Sequence, residues 1–94
     1  MRYEELMRDA QNQALMASTR VHAAFDAIYC CCPPAGTLDE ALGALDLSPP
    51  DKALVIRLRD WVQRVAPLES LPISPAQAIA LAERAHKHNA SSRH

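Results

Sequence analysis

The chain has 94 residues, 49% of them apolar, and a formal net charge of −1. It therefore lacks the basic footprint of salt-driven nucleic-acid binding, and no apolar run reaches the roughly 18 residues a membrane span needs. Its apolar content is mostly Ala and Leu, with only two glycines, so the composition favours helices and leaves too little turn chemistry for an all-β fold.

A chain of this size makes one domain and buries roughly 60–65% of its unfolded surface. The first third, from Met1 to Cys32, carries an uncharged seam: Tyr3, Met7, Ala10, Ala14, Ala17, Val21, Ala24, Ile28 and Cys31. The alternating four-three spacing is that of a helix face. No Gly or Pro interrupts it, and Pro33-Pro34 closes it. The pattern predicts one long N-terminal helix of about 29 residues, roughly 43 Å at 1.5 Å per residue. That exceeds a compact domain whose radius of gyration should be near ~13 Å. Either one end projects to meet a partner chain, or the helix bends near Ser18-Thr19; projection is preferred, and with it a homodimer. The small residues along the seam let a second helix approach closely. This makes Ala14, Ala17, Val21 and Ala24 the candidate self-association residues. A second line, Leu15, Ser18, His22, Phe25, Tyr29 and Cys32, widens the apolar face.

After the Pro33–Gly36 turn, Thr37-Leu38-Asp39-Glu40 reads as a capping box, with Thr37 as N-cap and Glu40 reaching back. The short helix it starts runs to about Leu45 and faces Leu38, Ala41, Leu42 and Leu45 inward. Ser48-Pro49-Pro50-Asp51 opens the next, with Ser48 as N-cap, Pro49 at the first helical position and Asp51 at the positive end of the macrodipole. Leu54, Leu58, Trp61 and Val65 form its seam, widened by Val55 and Val62. Trp61 is expected to be the largest single contribution to the core. This helix ends by Ala66, and Pro67–Ile73 is an extended connector. Ser74, Pro75 and Gln77 repeat the start logic for a last helix to about His88, with Ala78, Ile79, Ala82, Ala85 and His86 inward. Residues 1–88 thus form one bundle domain, and 89–94 read as a frayed tail.

The Cys30-Cys31-Cys32 run draws attention first for chemistry. Adjacent helical cysteines point about 100° apart, and a metal site wants C-x₂₋₄-C spacing with a second pair elsewhere. The reading favoured is small buried hydrophobes for Cys31 and Cys32, and thiols at a helix C-terminus are not activated nucleophiles. A metal-binding bundle using these thiols is the outside possibility. An odd, contiguous set of three cysteines fits a reducing cytoplasm, and the Met-Arg-Tyr-Glu-Glu start does not read as a signal peptide. His86 and His88 are two apart and lie on different sides of a helix, unlike the i, i+4 pair of zinc proteases. Arg57, Arg59, Arg64 and Lys52 give the third predicted helix a modestly basic outer face, diluted by Asp51 and Asp60. No carboxylate pair, Ser-His-Asp arrangement or Gly-rich phosphate loop is read from the sequence. No catalytic residue, metal ligand or cofactor is expected.

The stretch Leu15 to Ala27 is similar to a helix of HEPN domains, in which Arg, Ala and a following Phe recur; Arg20, Ala23, Ala24, Phe25 and Ala27 match, while Val21-His22 replace the usual aromatic pair. Ser74 through Ala85, ending at His86, also resembles that family's last helix. Together these cover about a third of the chain. The resemblance implies an antiparallel helical bundle, often dimeric. Some members are ribonucleases of toxin–antitoxin or defence systems, and others are non-catalytic partners of nucleotidyltransferases. The ribonucleases carry Arg and His separated by four to six residues; here Arg84 precedes His88 by three intervening residues and Arg20 precedes His22 by one. The resemblance therefore implies a non-catalytic member.

The sequence reading is accordingly an all-α, antiparallel bundle of about four helices: a cytoplasmic, self-associating, HEPN-like interaction or scaffold module with a possible protein partner. The alternative is a small nucleic-acid-binding protein using Arg20, His22, Arg57 and Arg64, which steep salt dependence of RNA binding would reveal.

Overall fold

The computed structural model describes residues 3–32, 36–63 and 71–91. They form five helices: α1 (Tyr3–Gln11), α2 (Ala17–Cys30), α3 (Leu38–Gly43), α4 (Pro49–Gln63) and α5 (Pro75–Ser91). No strand occurs among the described residues, so the all-α class follows from the Ala- and Leu-rich composition as expected. No helix among them is long and apolar enough to cross a membrane.

The long N-terminal helix is not observed: it is broken into α1 and α2. Asn12 makes the break. Its carbonyl accepts the Leu15 N–H at 3.1 Å, and its side-chain Oδ1 accepts the Ala14 N–H at 3.0 Å. An Asn side chain offers the backbone a turn in competition with the helix, and here the turn wins. Arg20 then seals the hairpin by donating from Nε to the Ala10 carbonyl at 2.9 Å, satisfying an acceptor that the end of α1 leaves open. The break falls at residues 12–16, ahead of the Ser18-Thr19 position considered for a bend. With α1 packed on α2, neither half of the expected long helix projects among the described residues. The molecule measures 37 × 24 × 23 Å with a radius of gyration of 12.4 Å.

The hub is α2. It packs against α1, α5 and α4, and Val21, Ala23, Ala24, Phe25, Ala27 and Ile28 are all buried, as befits a helix that is apolar on most of its circumference. Leu6, Met7 and Ala10 of α1 join the same core. The seam read from the sequence is thus largely buried, but the chain itself covers it.

The remaining starts follow their caps. Thr37 Oγ1 accepts the Glu40 N–H at 3.1 Å, and Ala41, Leu42 and Leu45 are buried, although α3 stops at Gly43. Ser48 accepts at the start of α4. At α5 the box is reciprocal: Ser74 Oγ accepts the Gln77 N–H at 3.2 Å, and Gln77 Oε1 accepts the Ser74 N–H at 3.0 Å. Ala78, Leu81, Ala82 and Ala85 of α5 are fully buried. His86 is not inward as expected; it is exposed and stacks on Tyr3, ring centroids 4.0 Å apart and planes 12° from parallel. The helix also outruns His88 to Ser91, and Asn89 is buried, so the tail does not begin at residue 89.

Trp61 is only partly buried; the largest fully buried side chains include Ile28, Leu45, Leu58 and Leu81. The Pro33-Pro34 turn, Arg64, Val65, most of the Pro67–Ile73 connector and residues 92–94 lie outside the described residues.

A candidate cleft between α1, α2 and α4

Both α1 and α4 lean on α2 yet scarcely touch each other. The gap between them is an open cleft of about 420 Å³, within the size range of small-molecule sites. Its floor is one line of α2, Ser18, His22 and Asp26, each a helical turn from the next, with Thr19 and Ala23 beside it. Leu6 and Asp9, three apart on α1, form one wall, and Trp61 of α4 forms the other.

His22 and Asp26 pair at 3.3 Å through Nδ1 and Oδ2, with about half of the imidazole exposed. The Trp61 ring meets His22 edge-on, centroids 6.4 Å apart at 62°, an ordinary arrangement for aromatic neighbours. The indole Nε1 is buried and without a hydrogen-bond partner. Ser18 lies one turn before His22, as the second line read from the sequence has it, but that line continues through Phe25, and the Asp26 that completes a serine, histidine and aspartate row was missed. Ser18 makes no hydrogen bond to the ring among the described contacts, and the geometry is that of a His-Asp pair without an engaged nucleophile. Asp9 enters no ion pair among the described residues, and its presence here was missed because α1 was expected to continue straight into α2.

The other sequence candidates scatter. Arg20 is spent on the Ala10 carbonyl. Arg57 is exposed on α4 and does not line the cleft. Arg64 lies outside the described residues. Arg20, His22 and Arg57 therefore do not form one basic surface. Nor do the four small residues form one exposed face: Val21 and Ala24 are fully buried within the chain, whereas Ala14 and Ala17 are exposed.

Arg59, the remaining arginine named for a basic face, is matched by acids, and so is Arg84 of α5. Arg59 pairs with Asp39 and Asp60, and Arg84 grips Asp51 through two bonds of 2.9 and 3.0 Å. The hydrogen bond from Arg84 is the main cause that holds the Asp51 carboxyl below its usual range, against a smaller opposing effect of burial. A second, smaller cavity of about 290 Å³ beside Ile56 is lined by Asp39, Lys52 and Arg59, groups already engaged: Lys52 donates to the Gly43 carbonyl at 3.1 Å.

Cys31 and Cys32 are buried, and each Sγ approaches a carbonyl one turn back, Ala27 at 3.4 Å and Ile28 at 3.6 Å. Burial, reinforced by Cys31 and Cys30, pushes the Cys32 thiol up to about 12. Cys30 is exposed. No group of three His, Cys, Asp or Glu among the described residues is placed to hold a metal ion.

Comparison of the chain with protein-family models, curated proteins and solved structures finds no match.

Proposed function

We propose that the chain is a non-catalytic helical interaction module of HEPN-like type that self-associates, with the turn between α1 and α2 as its contact surface. One observation carries the reading. Ala14, Met16 and Ala17 are all exposed at that turn, Met16 to 59%, where a polar loop would be the default. A lone surface apolar residue needs no explanation, but three within four positions at a turn make a small contact surface. The two stretches that resemble HEPN helices fall on α2 and α5, which pack together, and this supports the same reading. Nucleic-acid binding is the weaker alternative, because Arg20, Arg59 and Arg84 are committed within the chain.

Light scattering over a dilution series tests the proposal. A species of twice 10.3 kDa that Met16→Glu converts to monomer is the expected result. A monomer at every concentration, or a dimer indifferent to Met16→Glu, overturns it.

A further inference from the structure

We propose that the cleft between α1, α2 and α4 binds a small organic ammonium ion. The charge inside it is one-sided: two carboxylates, Asp9 and Asp26, line it with one imidazole, His22, which pairs with Asp26 alone. Arg20, the guanidinium nearest Asp26 in sequence, is turned onto the Ala10 carbonyl, and Arg8, the neighbour of Asp9, is exposed on α1 and does not line the cleft. The Ser18 and Thr19 hydroxyls at the cleft floor add oxygens that accept hydrogen bonds from an N–H donor. The rest of the lining is apolar, Leu6, Ala23 and the Trp61 ring.

A carboxylate beside an indole is the combination that attracts an organic cation, through ion pairing and through the ring quadrupole. An inorganic metal ion fits poorly, because no three ligating groups converge among the described residues. Anions meet two carboxylates. A neutral apolar ligand leaves Asp9 without a counter-charge. The site shares no lining residue with the Ala14–Met16–Ala17 surface, and ligand titration and light scattering test the two proposals by different readouts.

Trp61 is the single tryptophan of the chain, and its emission reports on the cleft directly. The experiment titrates the full chain with choline and with 2-phenylethylammonium, each beside its uncharged isostere, 3,3-dimethylbutan-1-ol and 2-phenylethanol. Expected is a saturable change in Trp61 emission with at least one of the ions and weak or no response to its isostere. Binding should weaken about fivefold in Asp26→Asn and in Asp9→Asn, the scale of one exposed ion pair, and should weaken in high salt. Both substitutions are at exposed or partly exposed positions, and far-ultraviolet circular dichroism confirms that the helices persist. An absence of saturable change with both ions overturns the proposal, as does equal binding of ion and isostere. Unchanged affinity in both folded Asp→Asn variants overturns it as well.

Discussion

Asn89 ties two distant parts of the chain together with one amide. Its Oδ1 accepts the Asp46 N–H at 3.0 Å across 43 positions, and its Nδ2 donates to the Ala85 carbonyl at 2.8 Å. The residue is 8% exposed, so truncation removes two hydrogen bonds from a part-buried junction. Asn89→Ala should cost about 1–3 kcal/mol, the net worth of two such bonds. Urea unfolding checks this: the midpoint should fall while the denaturant slope stays constant. An unchanged midpoint would mean that water replaces the amide without loss. Nothing near Asn89 in the sequence announces this role. Asn89-Ala90-Ser91-Ser92 reads as polar tail, and its partner Asp46 lies in the connection between α3 and α4.

At the scale of elements, the caps and faces were legible and the break was not. Thr37, Ser48 and Ser74 are local signals that accept from backbone N–H groups three residues ahead, so their helix starts follow from the sequence alone. The apolar seam of the first third also survives in Met7, Ala10, Val21, Ala24, Ile28 and Cys31, because a helix folded back on itself needs the same inward face as a straight one. What the pattern could not settle was whether Asn12 would remain helical. That depends on Arg20 reaching the Ala10 carbonyl, a contact that exists only after the hairpin forms. The cleft was hidden for the same reason, since Asp9 meets the His22 line only once α1 turns back. A nine-residue helix is marginal by itself in water and depends on this docking. Arg20→Ala should therefore speed amide exchange across α1 while leaving α5 protected, as native-state hydrogen exchange would show. Equal protection of both helices in the variant would remove Arg20 from the account of the hairpin.

At the scale of the whole molecule, one matched acid and base join α4 to α5 and contribute to its response to pH. Asp51 opens α4, where a negative charge also suits the helix N-terminus, and Arg84 of α5 holds it with two hydrogen bonds. Because that contact lowers the folded-state pKa of Asp51, the stabilisation is fully present above the ordinary carboxylate range. It is lost as pH falls below about 4 and the carboxyl takes up its proton. The Arg84 side chain is 45% exposed, so solvent screening limits the pair to about 0.5–1 kcal/mol. Thermal midpoints measured from neutral to acid pH should fall with acidification, and Asp51→Asn should start lower at neutral pH and fall less. Arg84→Gln should give the same flattened profile, and the double variant should add little to either single one, since both remove the same contact. If Asp51→Asn instead keeps the full acid slope, other carboxylates govern the acid response, and the clamp between α4 and α5 contributes nothing to it.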